Sequence, residues 1–264
     1  AAEERLKKKL SFFYGPQFYA QHSARIKVVA GEMEKPLLGL KEDIYKTLAG
    51  QIDTIVNPAA NVKHYGLEAE YKGNTIGVQE LVNLAKTGSA KRIHHVSTAG
   101  VSFGQGYVFS EYDRVQTIPE ISNTIYLQSK LDAENIIFKA IEEGVEATVY
   151  RVGNLVFNNK TGKFQENTEN SAFYMLLRSF INLGIVPDMH HKFYDFSFIN
   201  TTAEAIVKFA RQKCLINDVF HVYSTHYYSL HDLYHMVIKP NFPEVQLVSI
   251  DDFPQIILQK YEDP

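Results

Sequence analysis

Short runs rich in β-branched residues alternate along this chain with longer segments whose apolar positions recur at helical spacing. Arg25 to Ala30 (RIKVVA) predicts a strand, Lys41 to Leu48 a short helix, and Asp53 to Val56 a buried strand closed by Asn57-Pro58. Glu68 to Thr87 predicts a helix, apolar at Ile76, Leu81, Val82 and Leu84 and stopped by Gly88. Arg92 to Ser97 follows as a strand. After a long loop, Thr124 to Glu143 predicts a helix ended by Gly144, and Glu146 to Val152 a further strand. Strands that are apolar almost throughout, alternating with helices, indicate an α/β fold with a doubly wound parallel sheet covered on both faces.

The pattern changes at Asn158, where a polar stretch (NNKTGKFQENTEN) interrupts it. Beyond it the sequence predicts helices at Ala172 to Leu183 and Thr202 to Lys213. Strands follow near Tyr194 to Ile199 and at Val219 to Tyr223, and two short helices near Leu230 and Asp252. The expected organisation is a Rossmann-type unit over residues 1–157 and a smaller, more helical lobe over 158–264, some of whose strands return to the sheet. The opening AAEERLKKKL reads like the inside of a helix, as expected of a piece of something longer.

Composition narrows the class. The 264 residues carry 27 Lys and Arg against 30 Asp and Glu, a net charge of -3, which excludes a basic nucleic-acid binder. No apolar run reaches the roughly 18 residues of a membrane span. The single cysteine, Cys214, allows no internal disulfide and fits a reducing, cytoplasmic setting; it is expected to be a small buried or half-buried side chain.

Ligands of open parallel sheets sit outside the carboxyl ends of the strands. Those ends bring together Gly31 and Glu32; Asn57, Pro58, Ala59 and Ala60; Ser97 and Thr98; and Arg151, Val152, Gly153 and Asn154. Small residues there let a flat ligand approach the backbone, although strand-to-helix turns favour small residues in any case. Tyr126 and Lys130 stand one helical turn apart, where an ammonium lowers the pKa of a phenol and makes it a usable acid or base. With 16 tyrosines in the chain, chance alone supplies about one such spacing. Position gives the pair its weight: a strand-end hydroxyl, a long loop, a helix opening on Tyr-x3-Lys, then a strand ending Arg-x-Gly-Asn.

The run HHVSTAGVSFG…FSEYD…YLQSK…VYRVGN, with KVVAGEMEKPLLGL, IVNPAANV, GNTIGVQELVNLA and DFSFINTTAEAIV in the same order, resembles the extended short-chain dehydrogenase/reductase superfamily. More narrowly it is similar to the terminal thioester reductase domains of nonribosomal peptide synthetases, to carboxylic acid reductases and to aminoadipate reductase. Aureusimine-type dipeptide synthetases, which release an aldehyde, are one branch this likeness reaches. It covers about residues 1–225. The resemblance implies that Tyr126 donates a proton, that Lys130 holds the nicotinamide ribose and tunes Tyr126, and that Thr98 steadies the developing oxyanion, with Ser97 as second choice. It implies that Asn74 supports the lysine through water. Ala59, Ala60, Val152, Gly153 and Asn154 would line nicotinamide and ribose, and Glu32 would lie near the adenine. The implied cofactor is NADPH. The implied partner is a phosphopantetheinylated carrier domain bearing a peptidyl or acyl thioester, within a larger multidomain synthetase and with no nucleic acid or membrane involved.

The departures are specific. No G-x-G-x-x-G occurs, and Gly104-Gln105-Gly106 lacks the third glycine; because AAEERLKKKL resembles the stretch that follows the family's phosphate loop, the resemblance implies that the first βαβ elements are missing from this chain. Without that loop the pyrophosphate has no helix N-terminus to rest on, so this chain by itself is expected to bind dinucleotide poorly. Asn57-Pro58 and Val152 also differ from what the family carries there. Two rival functions remain: a non-catalytic dinucleotide-fold module, or another extended short-chain reductase or epimerase. Gly100-x-Ser102-x-Gly104 matches the hydrolase elbow, but Ser102 lies past the strand end with loop behind it. His231 and His235 share the spacing of zinc ligands, yet no glutamate completes H-E-x-x-H, and an ordinary surface helix is the expected reading. His190 and His191 are expected in a solvated loop, and Lys160, Lys163 and Arg178 on a solvated surface within reach of a carrier.

Overall fold

The computed structural model describes residues 1–63, 66–103, 109–115, 117–119 and 124–262. The chain begins with α1 (Ala2–Tyr14) and α2 (Phe18–His22), then runs without regular structure to α3 (Glu42–Gln51) and β1 (Thr54–Asn57). Next come α4 (Lys72–Lys86), β2 (Arg92–Thr98), α5 (Ile125–Glu142) and β3 (Ala147–Val152). After β4 (Leu155–Val156) and α6 (Ala172–Leu183) come three short strands, β5 (Ile185–Pro187), β6 (Phe193–Asp195) and β7 (Ser197–Phe198). The last part holds α7 (Ile199–Ala210), β8 (Val219–Val222), β9 (Tyr227–Ser229), α8 (Leu230–Leu233), α9 (Lys239–Asn241), β10 (Gln246–Val248) and α10 (Phe253–Glu262).

The main sheet has the order β1-β2-β3-β8, every pair parallel. All six residues of β3 are buried, as expected of a central strand covered on both faces. On one side α4 and α5 pack Val78, Val82, Ala133 and Ile137 against Ile93, Ala147 and Val149. On the other, Tyr150 stacks with Phe209 of α7 and Phe220 of β8. Strand β8 is therefore the strand that the distal part returns to the first sheet. A second core, built on Phe180, Val186, Leu230, Leu233, Tyr234 and Ile238, joins α6, β5, α8 and the turn after it.

Several elements differ from the sequence pattern. Residues 25–30 form no strand: Ile26 is extended, but among the described residues β1 pairs only with β2 and no ladder partner meets the segment. β propensity without a neighbour leaves an extended coil. The segment 31–40 instead folds over α4, where the Leu37 N–H donates to Glu80 Oε2 at 2.8 Å. The expected helix from Glu68 splits into a 3-10 turn (Glu68–Tyr71) and α4. Near Tyr194 two short strands replace one: β6 pairs antiparallel with β9, and β7 parallel with β4. Cys214 is exposed, not half-buried. Helix α1 reaches across to the segment after β4, since Lys163 Nζ donates to Phe12 O at 2.8 Å and Lys9 pairs with Glu166 at 2.8 Å. Lys163 therefore anchors α1, whereas Arg178 is exposed.

Candidate active site

Helix α5 carries the site. Its start is set by Thr124, whose hydroxyl accepts the Leu127 N–H at 3.1 Å, and its end by Gly144 at φ 91, a conformation that suits glycine. That frame puts Tyr126 in the first turn, Lys130 one turn on and Glu134 a further turn on, all on one face. The same face lies against the carboxyl end of β2.

There the Tyr126 phenol lies beside the Thr98 hydroxyl, near enough for the threonine to lower its pKa. Thr98 Oγ1 also accepts the Gly100 N–H at 3.1 Å, capping the 3-10 turn Ala99–Ser102. Gly100 packs closely here: a Cβ would lie 2.8 Å from Leu127 Cδ2 and 3.3 Å from Thr98 Oγ1, so a larger residue would have to displace the Leu127 side chain. Lys130 is buried, and its ammonium donates to Val96 O at 2.7 Å. Desolvation lowers the Lys130 pKa to about 8, against a smaller opposing pull from Glu134. Burial raises the Tyr126 pKa, and the neighbouring Thr98 hydroxyl only partly offsets it. The expectation that the ammonium depresses the phenol is thus corrected in this structure: Lys130 addresses a backbone carbonyl, and desolvation dominates at Tyr126. At neutral pH the tyrosine is a phenol, the proton-bearing form.

Ser97, the neighbour of Thr98, is committed elsewhere. Its hydroxyl donates to Glu134 Oε1 at 2.5 Å, and Glu134 is held by Arg151, with Nη2 to Oε2 at 2.9 Å and Nε to both oxygens at 3.2 Å. Neither partner of this pair has any side-chain exposure. Arg151 also donates to Asp113 O at 3.1 Å and lies over the Phe109 ring. Sequence pattern places Arg151 at a strand end but does not single out Glu134; the signal for it is a spacing of four from Lys130 on the same face.

The other candidates sit as follows. Val152 is directly beside Thr98 in the strand register. Gly153 is packed against Asp195 and Tyr223, and Asn154 donates to the Asp195 carboxylate from its backbone at 2.9 Å and its side chain at 3.0 Å. Asn74 makes no direct bond to Lys130. It donates to Ser129 Oγ at 2.9 Å and to Asn61 O at 3.0 Å, and accepts the Asn61 N–H at 2.7 Å, so it pins the loop after β1 to α5. In that loop Ala59 is exposed and Ala60 half-buried, with the Ala59 N–H on Asn57 Oδ1 at 3.2 Å. Glu32 is exposed on the segment over α4 and paired with Lys35 at 2.9 Å. Ser102 donates to Ala99 O at 2.7 Å within a 3-10 turn, not the strand–helix corner a hydrolase nucleophile needs. Gly104 to Gly106 lie outside the described residues. His190 is not simply solvated, since it pairs with Asp188 at 3.1 Å.

The chemistry of the donor set fits a nicotinamide ribose. The Lys130 ammonium carries three hydrogens and gives one to Val96, leaving two for a diol. Sheet, helix order and the Thr98–Tyr126–Lys130 group define a Rossmann-type fold of the extended short-chain dehydrogenase/reductase class. Within it, the chain belongs to the NAD-binding family described as male sterility protein, whose model matches residues 1–206. It is 28% identical over 243 residues to a linear gramicidin synthase of Brevibacillus parabrevis, covering 90% of this chain and 5% of that protein. It is similar to the solved terminal R domain of the myxalamid PKS-NRPS pathway, with TM-score 0.88, 23% identity and coverage of 99% of this chain and 66% of that one. A thiolation-reductase di-domain from an archaeal non-ribosomal peptide synthetase aligns with TM-score 0.83, 26% identity and coverage of 98% and 55%. The reductase domain of the aureusimine cluster aligns with TM-score 0.77, 26% identity and coverage of 98% and 66%. The chain thus spans a small part of the curated relative and about two thirds or less of these solved chains.

Proposed function

We propose that this chain is the core of a reductase domain that releases a peptidyl or acyl thioester from the phosphopantetheine arm of a carrier domain as an aldehyde. Residues 1–157 bind the dinucleotide and residues 158–264 face the acyl carrier. The observation that carries this reading is the juxtaposition of the Tyr126 and Thr98 hydroxyls, with Lys130 buried one helical turn along. NADPH, when bound, supplies hydride. Lys130 would hold the nicotinamide ribose, with Val152, Gly153 and Asn154 beside it. Ala59 and Ala60 would line the same end, with Glu32 toward the adenine.

The substrate carbonyl oxygen takes its place between the two hydroxyls. As the carbonyl carbon gains hydrogen, the negative charge on oxygen is met by O–H donors already oriented by the Gly100 cap and by burial. Tyr126 is protonated at neutral pH and gives its proton to that oxygen. The resulting hemithioacetal collapses by breaking its C–S bond, which leaves an aldehyde and the free pantetheine thiol. A second round would reduce the aldehyde to the alcohol.

The test is NADPH oxidation by the intact polypeptide that carries this chain, with an acyl-pantetheine thioester as substrate and the products identified. Turnover that falls by about 10²–10⁴-fold in Tyr126→Phe, with cofactor binding retained, is expected. Cofactor binding without any turnover in the parent protein would replace this reading with a non-catalytic module.

A further inference from the structure

Where β5 ends, the chain turns through Asp188, Met189 and His190 and passes against the first turn of α8. Both backbones are pinned. The Asp188 N–H donates to Val248 O at 2.7 Å, and the His231 N–H to Met189 O at 3.3 Å. The start of α8 is set by a capping box in which Ser229 and Asp232 exchange side-chain and backbone hydrogen bonds, and this aims His231.

On that frame three side chains converge. Asp188 Oδ1 lies 2.8 Å from His231 Nδ1 and 3.1 Å from His190 Nε2. The two imidazoles stack with centroids 4.1 Å apart. One donor atom from each of the three residues lies within 4.8 Å of the others. Their side chains are 32%, 57% and 30% exposed for Asp188, His190 and His231, so the cluster is supported from below and open to solvent above.

We propose that Asp188, His190 and His231 form a binding site for a divalent transition-metal ion of the zinc class, with solvent in the remaining position. Two imidazoles and a carboxylate are a donor set such an ion favours, whereas Mg²⁺ and Ca²⁺ prefer oxygen donors. Tetrahedral coordination at about 2.0–2.2 Å spaces neighbouring donor atoms by roughly 3.3 Å, close to the two Asp188–histidine separations present, and the donors of all three residues lie within 4.8 Å of one another. The ion would bind the ring nitrogens that now face the Asp188 carboxylate. It ties the exit of β5 to the start of α8, across the core formed by Val186 and Leu230. His235 stands next to His231, with ring centroids 4.5 Å apart, but is exposed and outside the triad. The site is independent of the reductase chemistry.

The experiment titrates Zn²⁺ into the protein by calorimetry and Co²⁺ by absorption. Both use a Cys214→Ser background, because that thiol is exposed. Saturable binding of one ion is expected, weakened by at least about tenfold in each of Asp188→Ala, His190→Ala and His231→Ala, and retained in His235→Ala. Circular dichroism checks that the variants fold. Zinc should also raise the Tm of the background protein and leave that of His231→Ala unmoved. Absence of saturable binding, or binding unchanged in His190→Ala and His231→Ala, overturns the proposal.

Discussion

Arg151 of β3 grips Glu134 of α5 in a fully buried pair, Nη2 to Oε2 at 2.9 Å, directly beneath the candidate active site. The pair ties the strand end that carries Val152 and Gly153 to the helix that carries Tyr126 and Lys130. Ser97 shares it through its hydroxyl. The arrangement explains why Ser97 and Thr98, adjacent in sequence, have different partners: one belongs to the core and the other to the site.

Removing one half of a buried pair strands the other charge. Glu134→Gln is expected to cost about 3–5 kcal/mol of stability by urea denaturation. The double variant Glu134→Leu, Arg151→Met should recover much of that loss, because no charge is then left buried. Equal destabilisation of the single and double variants would contradict the account.

Lys130 couples stability to pH in a definite direction. Its folded pKa is about 8, against 10.5 for the unfolded chain. Between those values the unfolded state binds more protons, so this residue makes stability rise with pH across the window, while below about 8 its cost is fully present. Lys130→Met is therefore expected to be more stable than the parent at pH 7 by about 1–3 kcal/mol, the gap closing toward pH 10. Urea midpoints at the two pH values measure this, and a less stable variant at pH 7 would refute it.

Thr98 has two duties that substitution can separate. Thr98→Val removes both the hydroxyl beside Tyr126 and the cap on Gly100. The expected losses are about 10²-fold in turnover and about 1 kcal/mol in stability. Thr98→Ser keeps the hydroxyl and should restore both. Restored stability without restored turnover would assign Thr98 to the cap alone.

Gly153 is tested by added volume. A Cβ there would lie 1.9 Å from Asp195 Oδ2 and 2.7 Å from Tyr223 Cβ. The carboxylate cannot swing away freely, because Asn154 donates to it twice and Ser197 Oγ once at 2.9 Å. Gly153→Ala is expected to destabilise by about 2–3 kcal/mol in thermal or urea unfolding. A neutral effect would mean that this corner is looser than the contacts imply.

Helical and strand periodicity made β2, α5 and β3 legible, because each lies across the core and its apolar residues report burial directly. Local chemistry did the same for the ends of α5, where Thr124 and Gly144 act on their own backbone neighbours. The Tyr126–Lys130 spacing follows from helix geometry alone, and the motif run by itself places Thr98 at a strand tip. Other features depend on contacts between distant parts of the chain. Residues 25–30 have the composition of a strand, but a strand also needs a ladder partner, and β1 offers none. Desolvation, not the sequence distance to Lys130, sets the Tyr126 pKa, and burial is a property of the packed molecule. Glu134 acquires its role only when β3 brings Arg151 to it. Asp188, His190 and His231 become neighbours only because β5 and α8 pack on one core.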